Sequence, residues 1–314
     1  MSEEYLWVEK YRPRTIDSCV LSVDLRRYFK GILKKKEIQN MLLSGSAGTG
    51  KTTVARALCE ELNTDYIVIN GSEESGIDVL RTKIKQFAST VSFTGNTKIV
   101  ILDEADYLNP NSTQPALRGF IEEYSSNCRF IFTCNYKNRI IQPLHSRCSV
   151  VDFKIPKQEK PKIAASFFEH ILKILNNENV KFVDKVVAKV VEKHFPDYRR
   201  TLNELQRYAQ SGVIDEGILT SVSDMNATEL IESIVDKDWK RMRLWVVNNL
   251  DNDPQHLFRF VFDTLMPLTN QVPQLVLTVA DYQYKSAFVS DQEINLVACL
   301  TELMASVTIN DRKV

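Results

Sequence analysis

A three-layer α/β domain followed by two helical domains is the fold class this sequence predicts, and three observations predict it. Between residues 38 and 153, five short apolar runs alternate with amphipathic helical segments. The first of these runs leads directly into a glycine-rich turn and a helix. After a proline- and lysine-bearing break, "KIPKQEKPK" (154–162), strand signals vanish and helical spacing continues through the rest of the chain.

The strand runs, in order, are "NMLLSG", "DYIVING", "KIVILDEAD", "RFIFTCN" and "SVVDFKI". They are short, rich in Ile and Val, and apolar on both faces, as strands of a parallel sheet covered on both sides must be. The helical segments between them make a βαβ series, which sets the three layers. This first domain is expected over residues 1–155. Residues 156–224 read as several short helices punctuated by "HFPDYRR" and "SGVIDEG", and form the second domain. Residues 225–314 read as an all-helical third, with Pro254, Pro267 and Pro273 marking turns. A length of 314 residues exceeds one average core and suits this division.

Composition narrows the class. Hydrophobic content of 44% with 25% charged residues is that of a soluble globular protein. No apolar run approaches the roughly 20 residues needed to span a bilayer, and "MSEEYLWVEK" has no signal-peptide core. A cytoplasmic location and no membrane partner are therefore expected. The six cysteines (19, 59, 128, 134, 148 and 299) show neither a CxxC pair nor metal-ligand spacing, so reduced, buried thiols are expected. The four histidines are dispersed and suggest no site. Forty basic and forty acidic residues cancel over the whole chain. By region, residues 1–155 carry 21 basic and 18 acidic residues, 156–224 carry 11 and 10, and 225–314 carry 8 and 12. Any anion-binding surface therefore belongs to the first part.

The glycine-rich turn lies in that first part. The chain has only ten glycines, yet Gly45, Gly48 and Gly50 fall within six positions of "MLLSGSAGTGKTTVARALC" (41–59). "GSAGTGKT" is G-x-x-x-x-G-K-T, preceded by an apolar strand and followed by a helix. Such a turn aims successive backbone N–H groups inward, and the helix adds its positive N-terminal dipole, so the site captures phosphate. Lys51 would reach the β- and γ-phosphates, and the Thr52 hydroxyl would ligate Mg²⁺. "KIVILDEAD" (98–106) ends its strand in Asp103 and Glu104, beside the phosphate loop, where ligands bind in open α/β sheets. Asp103 would support the metal, and Glu104 would orient and polarise the attacking water. The "DEAD" string also invites a helicase reading, but the further helicase motifs are missing. "RFIFTCN" delivers Asn135, whose amide could hold the water or the γ-phosphate. Arg147 in "HSRC" could neutralise charge on a transferring phosphoryl group. From the residues alone it reads first as an ordinary surface or salt-bridged arginine.

"WVEKYRP" (7–13), "GSAGTGKTT", "NGSEESGIDVLRTKIKQFA" (70–88), "ILDEAD", "NSTQPALRGFIEEYSSNCRFIFTCNY" (111–136), "HSRC" and "FPDYRRTLNELQ" (195–206) occur in that order. Together they resemble the clamp-loader ATPases, the replication factor C small-subunit family of the AAA+ class. "EEYSSNC" and "GVIDEGIL" (212–219) are most similar to its branch of large subunits from T-even-type phages. The resemblance implies a P-loop AAA+ domain, a helical lid and an all-helical collar that holds an oligomer together. It implies ATP and Mg²⁺ as cofactors. Val8, Glu9, Lys10, Tyr11 and Val20 would line the adenine pocket, and Gly48, Thr49, Gly50, Lys51, Thr52 and Thr53 would wrap the phosphates. Asp103 and Glu104 would keep the roles given above, and Asn135 would sense the γ-phosphate. Arg147 would be an arginine finger acting on the neighbouring subunit's ATP, and Arg199 a second sensor reaching in from the lid.

The implied partners are a sliding clamp, primer–template DNA and other clamp-loader subunits, in a pentamer of ATPase subunits with a smaller companion. Arg81 and Lys85, four apart on one helix whose buried face would be Ile77, Leu80, Ile84 and Phe87, would meet DNA phosphates. From the residues alone that stripe is a solvated helix face. Val91 and Phe93, just beyond it, are candidate clamp contacts. Two departures stand out: no basic residue occupies positions 73–76 around Ser75, and the family's arginine pair after "AL" is Arg118-Gly119 here. Both bear on how DNA would be coupled to Glu104. Two other classes remain open on sequence: another AAA+ DNA motor, such as a helicase loader or branch-migration ATPase, and an assembly subunit that binds nucleotide without hydrolysing it.

Overall fold

A computed structural model of the chain describes residues 5–74, 76–90, 92, 97–210, 212–215, 227–250 and 254–309. The chain divides into two units, Met1–Leu219 and Thr220–Val314. The described residues of the segment expected as the second domain fall within the first of these units. The expected boundary at 224/225 lies outside the described residues.

In the first unit, the five expected strands form β1 (Met41–Ser44), β2 (Tyr66–Asn70), β3 (Lys98–Asp103), β4 (Cys128–Cys134) and β5 (Ser149–Asp152). All pairings among them are parallel, in the order β2-β3-β4-β1-β5. The period-2 alternation of strand side chains then builds two cores from one sheet. Met41 and Leu43 of β1 face one layer with Ile99, Ile101 and Ile131, against helices α2 (Val23–Lys35) and α3 (Lys51–Glu61). Leu42 faces the other with Val100, Leu102, Phe130 and Phe132, against α4 (Ile77–Ser89) and α5 (Thr113–Glu123). The central strands β1, β3 and β4 are buried almost throughout, whereas β2 and β5 at the edges are only partly covered. On α4, Leu80, Ile84 and Ala88 are fully buried, while Ile77 and Phe87 are half-buried at the margins of the stripe.

Beyond the short helix α6 (Gln142–His145) and β5, α7 (Lys160–Asn177) begins inside the proline-bearing break, with Pro161 in its first turn, where the missing N–H costs no helix bond. At 18 residues it is not one of the short helices expected here. Two further helices follow, α8 (Asp184–His194) and α9 (Tyr198–Ala209). Strands do not vanish from this region: Lys181–Phe182 and Val213–Ile214 form a short parallel pair. Two residues are too few to carry a legible alternation, so the sequence pattern could not reveal them.

Among the described residues, the elements of the second unit are all helical: Ala227–Val235, Trp239–Asn249, Pro254–Leu265, Val272–Lys285 and Gln292–Ser306, with a 3₁₀ turn at Met266–Leu268. Trp245, Phe258, Leu275, Leu300 and Leu303 are among the residues of its own apolar core. Pro254 and Pro273 sit at helix starts and Pro267 in a 3₁₀ turn, as turn markers should. No helix among the described residues is long and apolar enough to cross a membrane. The cysteines are free thiols, five buried and Cys148 partly so, and burial pushes those of Cys19, Cys59, Cys134, Cys148 and Cys299 up to about 12.

Candidate active site

The carboxyl ends of β1, β3 and β4 converge on one cleft. Gly48 (φ +72°) and Gly50 (φ +87°) take the left-handed conformation that lets the loop after β1 turn back on itself. Gly50 is the N-cap of α3 and offers no side chain, so the first amides of this helix are left for a ligand. Lys51, at the first helical position, is 8% exposed. Its ammonium donates to the carbonyls of Gly45 (2.9 Å) and Ser46 (2.8 Å) and to Asn135 Oδ1 (2.9 Å). Among the described residues, none of these partners is a carboxylate. Burial pulls the Lys51 pKa below its ordinary value, partly offset by the nearby Asp103 and Asp106 carboxylates. A buried cation satisfied only by neutral acceptors is a site that fits an anion. Lys51→Ala should therefore abolish tight ATP binding, read by nucleotide titration. Unchanged affinity would rule out the cation's role.

Asp103 closes β3 opposite this loop. Its Oδ1 accepts from the Thr52 hydroxyl at 2.6 Å and from the Thr133 hydroxyl. Two hard oxygen donors side by side at the mouth of a phosphate loop are a donor set that fits Mg²⁺. Glu104 follows in a left-handed conformation (φ 54°, ψ 42°), a strain of about 1–2 kcal/mol for a residue with a Cβ. Its N–H donates to Thr133 Oγ1 at 3.1 Å, and its carboxylate has no partner among the described residues while lining the cleft. The strained turn thus presents an unpaired carboxylate beside the phosphate loop.

Asn135 is positioned by a residue that sequence reasoning passed over. Asp106, the last letter of the "DEAD" string, is buried, and its Oδ2 accepts from the N–H groups of Asn135 (3.2 Å) and Tyr136 (3.1 Å). Thr133 was missed as well, because a lone threonine within a strand carries no signal. So was Gln114, fully buried on α5. Its amide donates to the carbonyls of Leu108 (2.9 Å) and Arg139 (3.0 Å) and accepts from Ile141 N–H (2.9 Å), tying the turns after β3 and β4 together.

Away from the phosphate loop the lining is mostly apolar. Val8, Tyr11 and Val20 belong to it, together with Arg12, Pro13, Leu21, Phe167, His170 and Leu202. Glu9 and Lys10 do not. Glu9 is paired with Arg12, and Lys10 reaches Glu178 at 2.7 Å. Thr49, Thr53 and Arg199 line the cleft, Arg199 from the first turn of α9. That helix sits directly on the loop: Tyr198 N–H donates to the Gly48 carbonyl at 3.1 Å, and a Cβ at Gly48 would lie 1.9 Å from Asp197 Oδ1. Gly48→Ala combines this clash with left-handed strain. Melting should fall by about 2–8 °C for the 1–2 kcal/mol of strain alone, and ATP affinity should fall with it. Wild-type melting and affinity would contradict the contact.

Arg147 is not among the cleft's lining residues. It is partly exposed and pairs with Glu122 of α5, with Nε at 2.9 Å and Nη2 at 2.5 Å from Oε1, while Nη1 donates to the Pro143 carbonyl at 2.9 Å. This pairing holds the Glu122 carboxyl below its usual range. Arg81 and Lys85 are exposed on α4, Arg81 with Asp78 at 3.7 Å. Ser75, Val91 and Phe93 lie outside the described residues.

Comparisons with known proteins agree with this geometry. The profile of the ATPase family associated with various cellular activities (AAA) matches residues 41–156. That of the sliding-clamp-loader large subunit, AAA+ ATPase lid domain, matches residues 160–220. The chain is 42% identical over 246 residues to the sliding-clamp-loader large subunit of Enterobacteria phage T4, covering 77% of each chain. It is 35% identical over 318 residues to the replication factor C small subunit of Archaeoglobus fulgidus, covering 95% of this chain and 97% of that protein. Among solved structures, the Thermotoga maritima RuvB Holliday junction branch migration motor superposes with a TM-score of 0.52 at 16% identity, over 71% of this chain and 79% of that one. Identity that low shows a shared fold and nothing about branch migration. With relatives of this identity and coverage, and profiles that match residues 41–156 and 160–220, the chain belongs to the sliding-clamp-loader family of AAA+ ATPases, which includes the replication factor C small subunits.

Proposed function

We propose that this chain is the ATPase subunit of a loader that opens a ring-shaped sliding clamp and closes it on primer–template DNA. Residues 1–155 would be the ATPase domain, 156–224 the lid and 225–314 the collar that joins it to its neighbours and a smaller companion subunit, in a pentamer. The observation that carries this reading is that the residues expected to do the chemistry share one cleft, with a single exception. Lys51, Thr52, Asp103, Glu104, Asn135 and Arg199 line a single cleft, while Arg147 does not. An incomplete site of this kind suits an enzyme that works only when assembled.

The chain's own groups would act as follows. The loop amides from Gly48 to Thr53 hold the phosphates, and Lys51 exchanges its carbonyl acceptors for phosphate oxygens. Thr52 and Asp103 would hold Mg²⁺, whose charge offsets that of the phosphate oxygens. Glu104 accepts a proton from the attacking water, and Asn135 fixes its direction. Arg199 closes the lid over the phosphates, and a neighbour's Arg147 meets the charge that develops in transfer. ATP binding would favour the clamp-opening form. DNA, met through phosphates along Arg81 and Lys85, would trigger hydrolysis and release. In pull-downs with companion subunits present, the clamp should be retained with ATP and lost with ADP. Equal retention with both nucleotides would refute the reading.

A further inference from the structure

Residues 5–12 form a strap along the apolar end of the cleft, held by α7 and α9. Its helix, α1 (Trp7–Lys10), is four residues long, far too short to persist on its own, and its N-cap Leu6 offers no capping side chain. The missing cap comes from almost 200 residues away. Gln206, on α9 and 8% exposed, accepts from the Trp7 N–H through Oε1 at 2.9 Å and donates to the Tyr5 carbonyl through Nε2 at 2.8 Å. Its carboxamide thus pairs with the strap's backbone as a neighbouring peptide group would. One turn further along, Gln210 Nε2 donates to the Tyr5 hydroxyl at 3.0 Å.

A second clip holds the far end of the strap. Glu178, the C-cap of α7, accepts from the Tyr11 hydroxyl at 2.5 Å and pairs with Lys10 at 2.7 Å, and these two partners hold its carboxyl below the usual range. Between the clips, Val8 and Tyr11 line the cleft. Trp7, buried at 5% exposure, fills the space beneath. Since α9 also contributes Tyr198, Arg199 and Leu202 to the same cleft, one helix sets both the lid wall and the position of the strap facing it.

We propose that Gln206 is a positioning residue for the nucleotide: by clasping the backbone of Tyr5 and Trp7 it fixes the strap over the apolar end of the cleft, and so sets ATP affinity without touching ATP. The proposal rests on the nucleotide reading of the cleft. Binding that needs the strap in place must, by linkage, also hold the strap in place. Nucleotide should therefore protect the Trp7 amide from exchange.

The test is Gln206→Leu in the full chain, with two readouts. Hydrogen–deuterium exchange of the 5–12 peptide, without nucleotide, reports whether the clasp is lost. A titration with ATP reports its consequence. Exchange should accelerate and ATP affinity should fall about tenfold, the scale of one or two buried amide hydrogen bonds, while turnover at saturating ATP stays within about twofold of wild type. Gln206→Glu keeps the volume and the acceptor for Trp7 but loses the donor to Tyr5. It should shift both readouts in the same direction, and it carries the test if the leucine variant does not fold. A released strap with ATP affinity within about twofold of wild type overturns the proposal, as does an unchanged exchange rate. Failure of the wild-type chain to bind ATP would instead remove the nucleotide reading itself.

Discussion

Arg147→Ala should bind ATP at near wild-type affinity and hydrolyse it about 10³–10⁵-fold more slowly, the range attributed to arginine fingers. Affinity is expected to hold because Arg147 does not line its own subunit's cleft; it stands apart, paired with Glu122. Folding should hold too, since the pair it leaves is a surface one. The rate should collapse because charge spreading onto the transferring oxygens would lose a bidentate cation placed there by the neighbour. Subunit mixing tests the geometry. If Arg147 acts across the interface, Arg147→Ala would retain Glu104 but fail to serve its neighbour, whereas Glu104→Gln would retain its finger but have a dead site. Some interfaces in a mixed assembly would join a live Glu104 to an intact Arg147, so activity should exceed that of either mutant alone. If subunits exchange and no activity returns, Arg147 does not act across the interface.

Glu104→Gln should bind ATP normally and lose about 10²–10⁴-fold in hydrolysis, measured in single-turnover assays. The substitution is nearly isosteric, and glutamine meets the same left-handed backbone at the same cost, so the turn held by Thr133 should keep its shape. The change would be confined to the proposed proton acceptor, because an amide cannot polarise water as a carboxylate does. The stalled protein should accumulate in a clamp- and DNA-bound form. Near-normal turnover would remove Glu104 from the chemistry.

The sheet, the phosphate loop and the acidic strand end were legible because each is written in contiguous residues. Central strands apolar on both faces announce cover on both sides, and G-x-x-x-x-G-K-T after one of them announces the anion. Lone side chains that act at long range were not legible. Asp106 braces the Asn135 turn through backbone amides some 29 positions away in sequence, and Gln206 caps a helix 199 positions away. Nothing in their local spacing distinguishes them from ordinary polar residues. Glu9 and Lys10, expected in the adenine pocket, show the converse. A motif fixes the strap, but the helical turn within it decides which side chains face the cleft and which face Arg12 and Glu178. The two-residue strands at 181–182 and 213–214 are too short for any pattern.

ATP hydrolysis by the assembled subunits, measured alone, with primed DNA, and with clamp and primed DNA together, tests the central claim most directly. A clamp-loading ATPase should turn over slowly alone, faster with primed DNA and fastest with both. A rate unchanged by either addition, in assemblies that bind ATP, would contradict it.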